Sequence, residues 1–184
     1  MAHLPPKPDF AAIEAAAPKG ASRRMAILTL IGNLVYCWSN NESLFIYVLM
    51  LLMDSDEVAA AVVFGTLNTT RARIDLIERL ARLKIKDKAV QQKLEKVIER
   101  FNDTTRIRNE FNHCMYVVDA RGEITHTNHM RVQDVRGRLQ LGTVRPMDDA
   151  RIKEMQEAVR SMTRLNREIW DFLGVLQAHL AKPR

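Results

Sequence analysis

The run Arg106-Ile107-Arg108-Asn109-Glu110-Phe111-Asn112-His113 brings guanidinium, amide and imidazole groups within about two helical turns of one another. A histidine ordinarily titrates near neutral pH, so it can take or give a proton during a reaction. An arginine keeps its charge, and its fork matches phosphate oxygens two at a time. An amide such as that of Asn109 orients an imidazole or holds a phosphate oxygen. Proton transfer and charge neutralisation are what metal-independent phosphodiester cleavage requires.

Other chemistries find less support. His113, Cys114, His126 and His129 are good metal-ligand types, but they do not form the two close pairs of a structural zinc site, so no metal or other cofactor is expected. The chain has no nucleophile elbow and no glycine-rich phosphate loop. Each motif residue also has a purely structural reading. His113 suits a helix C-terminus, where the dipole favours a cation, and Arg108 suits an ion pair with Glu42 or Asp103.

The elements that must carry this run are helical. Only 7 Gly and 6 Pro among 184 residues leave little room for a turn-rich all-β fold. From Met25 to Met53 runs the most apolar segment. Ser39-Asn40-Asn41-Glu42-Ser43 splits it into pieces too short to cross a membrane, so a long central core helix is expected and a membrane span is not. Its stripe Leu28, Ile31, Val35, Trp38, Glu42, Phe45, Leu49 and Leu52 places a carboxylate on an apolar seam. Glu42 then needs an arginine, an amide or a neighbouring subunit, unless 39–43 marks a solvent side or a kink.

Asp54-Ser55-Asp56-Glu57 reads as a capping box opening a second helix that runs to about Leu83, with Gly65 its weak point. Arg71 and Arg73, near its middle, are placed to reach a phosphate or Glu42. Asp87 caps a third helix whose stripe Val90, Leu94, Val97, Phe101, Thr104, Arg108, Phe111 and Met115 turns polar as it nears the motif. Asn109 and His113 share a face, but Arg108 and His113 stand about 140° apart on an ideal helix. The long arginine side chain, a loosened last turn or a second copy of the helix closes that gap.

After Cys114 the pattern becomes β-like. Tyr116-Val117-Val118 and Glu123 to Thr127 flank a turn at 119–122, and Val132 to Val135 with Leu139 to Val144 suggest another short pair. Five arginines in this stretch make a basic wall beside the motif. Asp148-Asp149 then caps a fourth long helix with the stripe Ile152, Met155, Val159, Met162, Ile169, Leu173, Leu176 and Leu180, and Arg151, Arg160, Arg164 and Arg167 fall on its wet face. One helical domain over 22–184 is expected, preceded by a flexible, proline-bearing arm at 1–21 and interrupted by the insertion at about 115–145.

The spacing Arg108-Asn109-x-x-x-His113 resembles the Arg-x(4–6)-His signature of HEPN domains, helical bundles that include many metal-independent endoribonucleases. The resemblance implies a mainly α fold, an antiparallel four-helix bundle with a small β-hairpin inserted between the third and fourth long helices. It also implies that Arg108 holds the phosphate, His113 does acid/base work and Asn109 assists, in a cleft lined by two subunits. The 2′-hydroxyl of RNA would attack the adjacent phosphorus, leaving a 2′,3′-cyclic phosphate. Glu42, Arg71, Arg106 and Asn112 are candidate supporting or substrate-binding residues.

The implied partners are RNA, a second copy of the chain and a cognate antitoxin protein, in a toxin or phage-defence setting. A net charge of +6 favours a polyanionic partner, with twelve Lys/Arg against seven Asp/Glu over 71–113. Two cysteines make no disulfide framework and no secretory signal opens the chain, so a reducing cytoplasm is expected. The other reading is a non-catalytic helical module that binds RNA or a protein.

Overall fold

The computed structural model describes residues 23–119, 123–129, 132–135 and 137–181. The expected arm at 1–21, most of the expected turn at 119–122 and three of the five insertion arginines (121, 131 and 136) lie outside the described residues. The described chain is mainly helical. Its helices are α1 (Arg23–Met53), α2 (Glu57–Thr66), α3 (Thr70–Lys84), α4 (Lys88–Asn112) and α5 (Asp149–Leu180). Between α4 and α5 in sequence come β1 (Cys114–Val118), β2 (Ile124–His129), β3 (Val132–Val135), β4 (Arg138–Leu141) and β5 (Val144–Pro146). Among the described residues, no helix is long and apolar enough to cross a membrane.

The single second helix expected from Asp54 to Leu83 is two helices. Asp54 adopts a left-handed conformation (φ 53°) just past the end of α1. The cap of α2 is therefore Asp56, whose carboxylate accepts from the Ala59 N–H at 2.8 Å. Thr69 opens α3 by accepting from the Ala72 N–H at 3.1 Å. The polar side chains of Asn68, Thr69 and Thr70 offer the backbone local alternatives to helix, which is why the chain stops and restarts there rather than at Gly65 alone. Arg73 fixes this corner. Its Nε donates to the carbonyls of Phe64 (3.1 Å) and Leu67 (3.0 Å), and its guanidinium lies 4.8 Å from the Phe64 ring centroid.

The chain divides into two compact units. In its described part, the first comprises residues 39–103 and 163–181. Its core is apolar, with Phe45 and Phe101 in a tilted ring contact at 4.9 Å and Leu49, Leu52, Ile77, Leu94 and Leu176 nearly or wholly buried. One amide pair sits in it. Asn41 is fully buried, and its Oδ1 accepts from Asn166 Nδ2 at 2.8 Å.

The second unit comprises residues 23–38 and 104–162 in its described part. Strands β1, β2 and β5 form an antiparallel sheet in the order β1-β2-β5, and β3 and β4 make a separate two-stranded ribbon. Cys114 pairs with His129, Tyr116 with Thr127, and Thr127 in turn with Arg145. The strand expected over Leu139 to Val144 is broken at Gly142 and Thr143, so its last residue, Val144, pairs with Asn128 of β2 instead of with β3. Gly142 is required at that break. Its φ is +73°, and a Cβ there would lie 1.8 Å from the His129 carbonyl oxygen.

Three helices carry buried stripes that alternate steps of four and three. In α1 the stripe includes Ile27, Leu34, Trp38, Asn41, Phe45, Val48 and Leu52. The expected members Trp38, Phe45, Leu49 and Leu52 are buried, but Leu28 is 44% exposed, and Asn41 rather than Glu42 is the fully buried polar group. A helix apolar nearly all round leaves the choice between two adjacent polar residues undecided until its partners pack. In α5 the stripe is Arg151, Met155, Ala158, Met162, Leu165, Ile169, Phe172 and Leu176. Arg151, expected on the wet face, is only 5% exposed, whereas Arg160 and Arg164 are exposed as expected.

Candidate functional site

The α4 stripe continues through buried Thr104 to half-buried Arg108 and buried Phe111, as its spacing implies. Arg108 therefore leaves the helix on its packed side, where it meets α1. Its guanidinium lies over the Trp38 ring, 4.1 Å from the centroid. Trp38 is itself fixed, since its Nε1–H donates to Thr105 Oγ1 at 2.8 Å. Arg108 Nη1 donates to Asn109 Oδ1 at 2.9 Å, so ring and amide together hold the fork. Arg108 Nε is buried and has no hydrogen-bond acceptor in the structure.

His113 follows the last residue of α4 and keeps the helical bond from its N–H to the Asn109 carbonyl at 3.1 Å. It is exposed, as are Asn112 and Arg106. Among the described residues no hydrogen bond or ion pair engages the His113 imidazole. The structure thus brings Arg108 and Asn109 together directly, and joins His113 to Asn109 through the backbone alone.

Of the other expected site residues, Glu42 and Arg71 belong to the first unit. Glu42 Oε1 accepts from Thr70 Oγ1 at 2.6 Å and from Arg73 Nη1 at 3.0 Å. The arginine expected for this carboxylate is therefore Arg73, and the pair braces the start of α3. Arg71 is exposed.

A polar cluster that the sequence did not reveal lies in the same unit as the motif. Glu110 Oε1 accepts from Arg151 Nη2 and from Arg145 Nη1 at 2.7 Å, and stands 3.6 Å from His129 Nε2. Arg151 also bonds Glu154 and lies over the Phe111 ring, 4.2 Å from its centroid. Burial alone would push the Glu110 carboxyl up, but the hydrogen bond and charge of Arg151, aided by Arg145 and His129, more than offset it. Glu110 is held below the usual carboxylate range. Arg145, expected in a free basic wall, is thus committed to a carboxylate.

The end of α4 is sealed by donors from β1. Tyr116 Oη donates to the Phe111 carbonyl at 2.6 Å and Cys114 Sγ to the same oxygen at 3.3 Å, satisfying an acceptor the helix end leaves open. Burial raises the pKa of both side chains, so both remain protonated donors at neutral pH. One signal in the sequence pointed to the cluster. Arg151 is the first member of the four-three series that runs through Met155, Ala158 and Met162, but a cation at a stripe's end reads more simply as surface.

Chemically, the motif offers an immobilised guanidinium with an unsatisfied buried N–H and, past the end of the same helix, an accessible imidazole. Among the described residues no three His, Cys, Asp or Glu side chains are grouped to hold a metal ion. No family model, no curated protein and no solved structure matches this chain.

Proposed function

We propose that this chain is a metal-independent endoribonuclease of HEPN type, which cleaves RNA by attack of the 2′-hydroxyl and leaves a 2′,3′-cyclic phosphate. Arg108 neutralises the phosphate, His113 transfers the proton and Asn109 holds the arginine in place. The reading includes an antiparallel four-helix bundle with a β-hairpin insertion, a homodimer with a shared cleft, and a toxin or phage-defence role in the cytoplasm opposed by a cognate antitoxin.

One observation carries it. Arg108 is fixed by Trp38 and Asn109 with a buried Nε–H left without an acceptor, and the exposed His113 follows just past the end of the same helix. A preorganised cation costs little reorganisation when a phosphate arrives. The test is digestion of RNA in EDTA. Wild type cuts and leaves a cyclic phosphate, while His113→Ala and Arg108→Ala each lose about a hundredfold or more in rate, in keeping with loss of an acid/base group or a charge stabiliser. Undiminished cutting by both variants overturns the site.

A second reading, a non-catalytic module binding RNA or protein, is favoured by the packing of Arg108 on Trp38, which also suits a purely structural arginine. It expects salt-sensitive binding without scission.

A further inference from the structure

The corner between α3 and α4 lies wholly within the first unit. Ile85 is fully buried, its N–H donates to the Ala81 carbonyl at 2.8 Å, and its own carbonyl accepts from Gln91 Nε2 at 2.7 Å. Around that anchor, residues 82–96 carry six Lys/Arg against two Asp/Glu. Arg82 lines a groove with Glu78 and Glu95. The other five cations are lysines. Lys86, Lys88, Lys93 and Lys96 are exposed and Lys84 is half-buried. Among the described residues, none of their side chains makes a hydrogen bond or ion pair, whereas Arg73, Arg100, Arg145, Arg151 and Arg160 each hold a carboxylate.

Local stability does not explain all of these charges. Lys84 and Lys86 suit the C-terminal end of α3, but Lys88 opens α4, where the helix dipole disfavours a cation and the first turn holds no acidic residue. Asp87, the one acid at the turn, is engaged by the Ala89 N–H at 2.7 Å. On α4, Lys93 and Lys96 are neighbours at i,i+3, and Lys88 stands about 80° from Lys96 round the helix. No aromatic residue stands between Phe64 and Phe101, so the corner has no platform on which a base could stack. A lysine ammonium is a point charge that suits phosphate without reading sequence.

We propose that this corner is a docking surface for the phosphate backbone of RNA. The choice of RNA among polyanions rests on the nuclease reading above; the need for a polyphosphate does not. An anionic membrane fits less well, because Leu83, 67% exposed, is the one large apolar side chain exposed there and membrane-surface helices bury a whole apolar face.

The test is fluorescence anisotropy of a 2′-O-methylated oligouridylate over a salt series, with the full chain. This probe lacks the attacking hydroxyl, so binding is read independently of cleavage. The quadruple variant K86Q/K88Q/K93Q/K96Q, its helicity checked by circular dichroism, is expected to bind about tenfold or more weakly at 50 mM salt. Its slope of log affinity against log salt falls by about 3, at about 0.7 per lost phosphate contact. The matching Lys→Arg variant keeps both, and Lys153→Gln on α5 changes neither. Equal affinity and slope in wild type and the quadruple Gln variant overturn the proposal. So does a wild type that ignores the RNA but sediments with phosphatidylserine vesicles. Lysine-dependent binding by a chain that leaves ordinary RNA intact keeps this surface and removes the nuclease reading; cleavage with binding untouched by the lysines does the reverse.

Discussion

Glu110 shows how much one side chain can hold when several cations converge on it. Arg151 and Arg145 both donate to a single carboxylate oxygen, and Arg151 is nearly removed from water. Glu110→Gln should cost about 3 kcal/mol, the low end for breaking a buried pair, because Glu154 still holds Arg151. The sign of its pH dependence follows from the lowered pKa. The carboxylate's stabilisation is complete above the ordinary carboxyl range of about 4.3 and is lost as pH falls through the lower folded value. Urea unfolding should show the gap between wild type and Glu110→Gln constant near neutrality and closing in acid. A gap that widens in acid contradicts the assignment. Asn41 makes the complementary case, since Asn166→Leu removes the donor to the Oδ1 of a fully buried amide and should cost about 1–3 kcal/mol. A double variant with Asn41→Leu should recover part of that loss in the same unfolding measurement.

At the scale of elements, caps and one glycine decide where helices and strands stop. The break between α2 and α3 rests on Thr69, whose hydroxyl accepts from Ala72. Thr69→Ala should lower stability by about 1 kcal/mol, read as a shifted denaturation midpoint with an unchanged slope. A Cβ at Gly142 collides with the backbone of β2. Gly142→Ala should therefore speed amide exchange in β2 and β5 more than in α3, and uniform protection would refute a local role. The beginnings of α4 and α5 were legible because Asp87 and Asp148 are short polar residues ahead of apolar periodicity. The restart at Thr69 was hidden because the apolar series runs on across it.

For the whole molecule, the proposed nuclease turns on whether a complete site needs two copies. Residues five apart on one helix point about 140° away from each other, and Arg108 is turned toward Trp38 while His113 stays exposed. If the cleft takes Arg108 from one copy and His113 from the other, mixing inactive Arg108→Ala and His113→Ala proteins rebuilds one intact site in each heterodimer. Statistical exchange between symmetric dimers then restores roughly a quarter of wild-type cleavage. No recovery after proven exchange would place both groups in one chain.

The sequence by itself determined the mainly helical class, the positions of most helix starts, the β-rich stretch after Cys114 and the approach of Arg108 to a packed side. Those features follow from local propensity, caps and periodicity, which neighbouring residues specify. Tertiary structure decided which polar residues entered the seams: Asn41 instead of Glu42 in α1, and Arg151, expected on a wet face, in α5. It also gave Glu42 to Arg73 and gathered Glu110, Arg145, Arg151 and His129 from four elements. In α1, apolar on most sides, little local cost separates burial of Asn41 from burial of Glu42, so the choice is fixed only when Asn166 supplies a hydrogen bond; in α5, Glu110 does the same for Arg151.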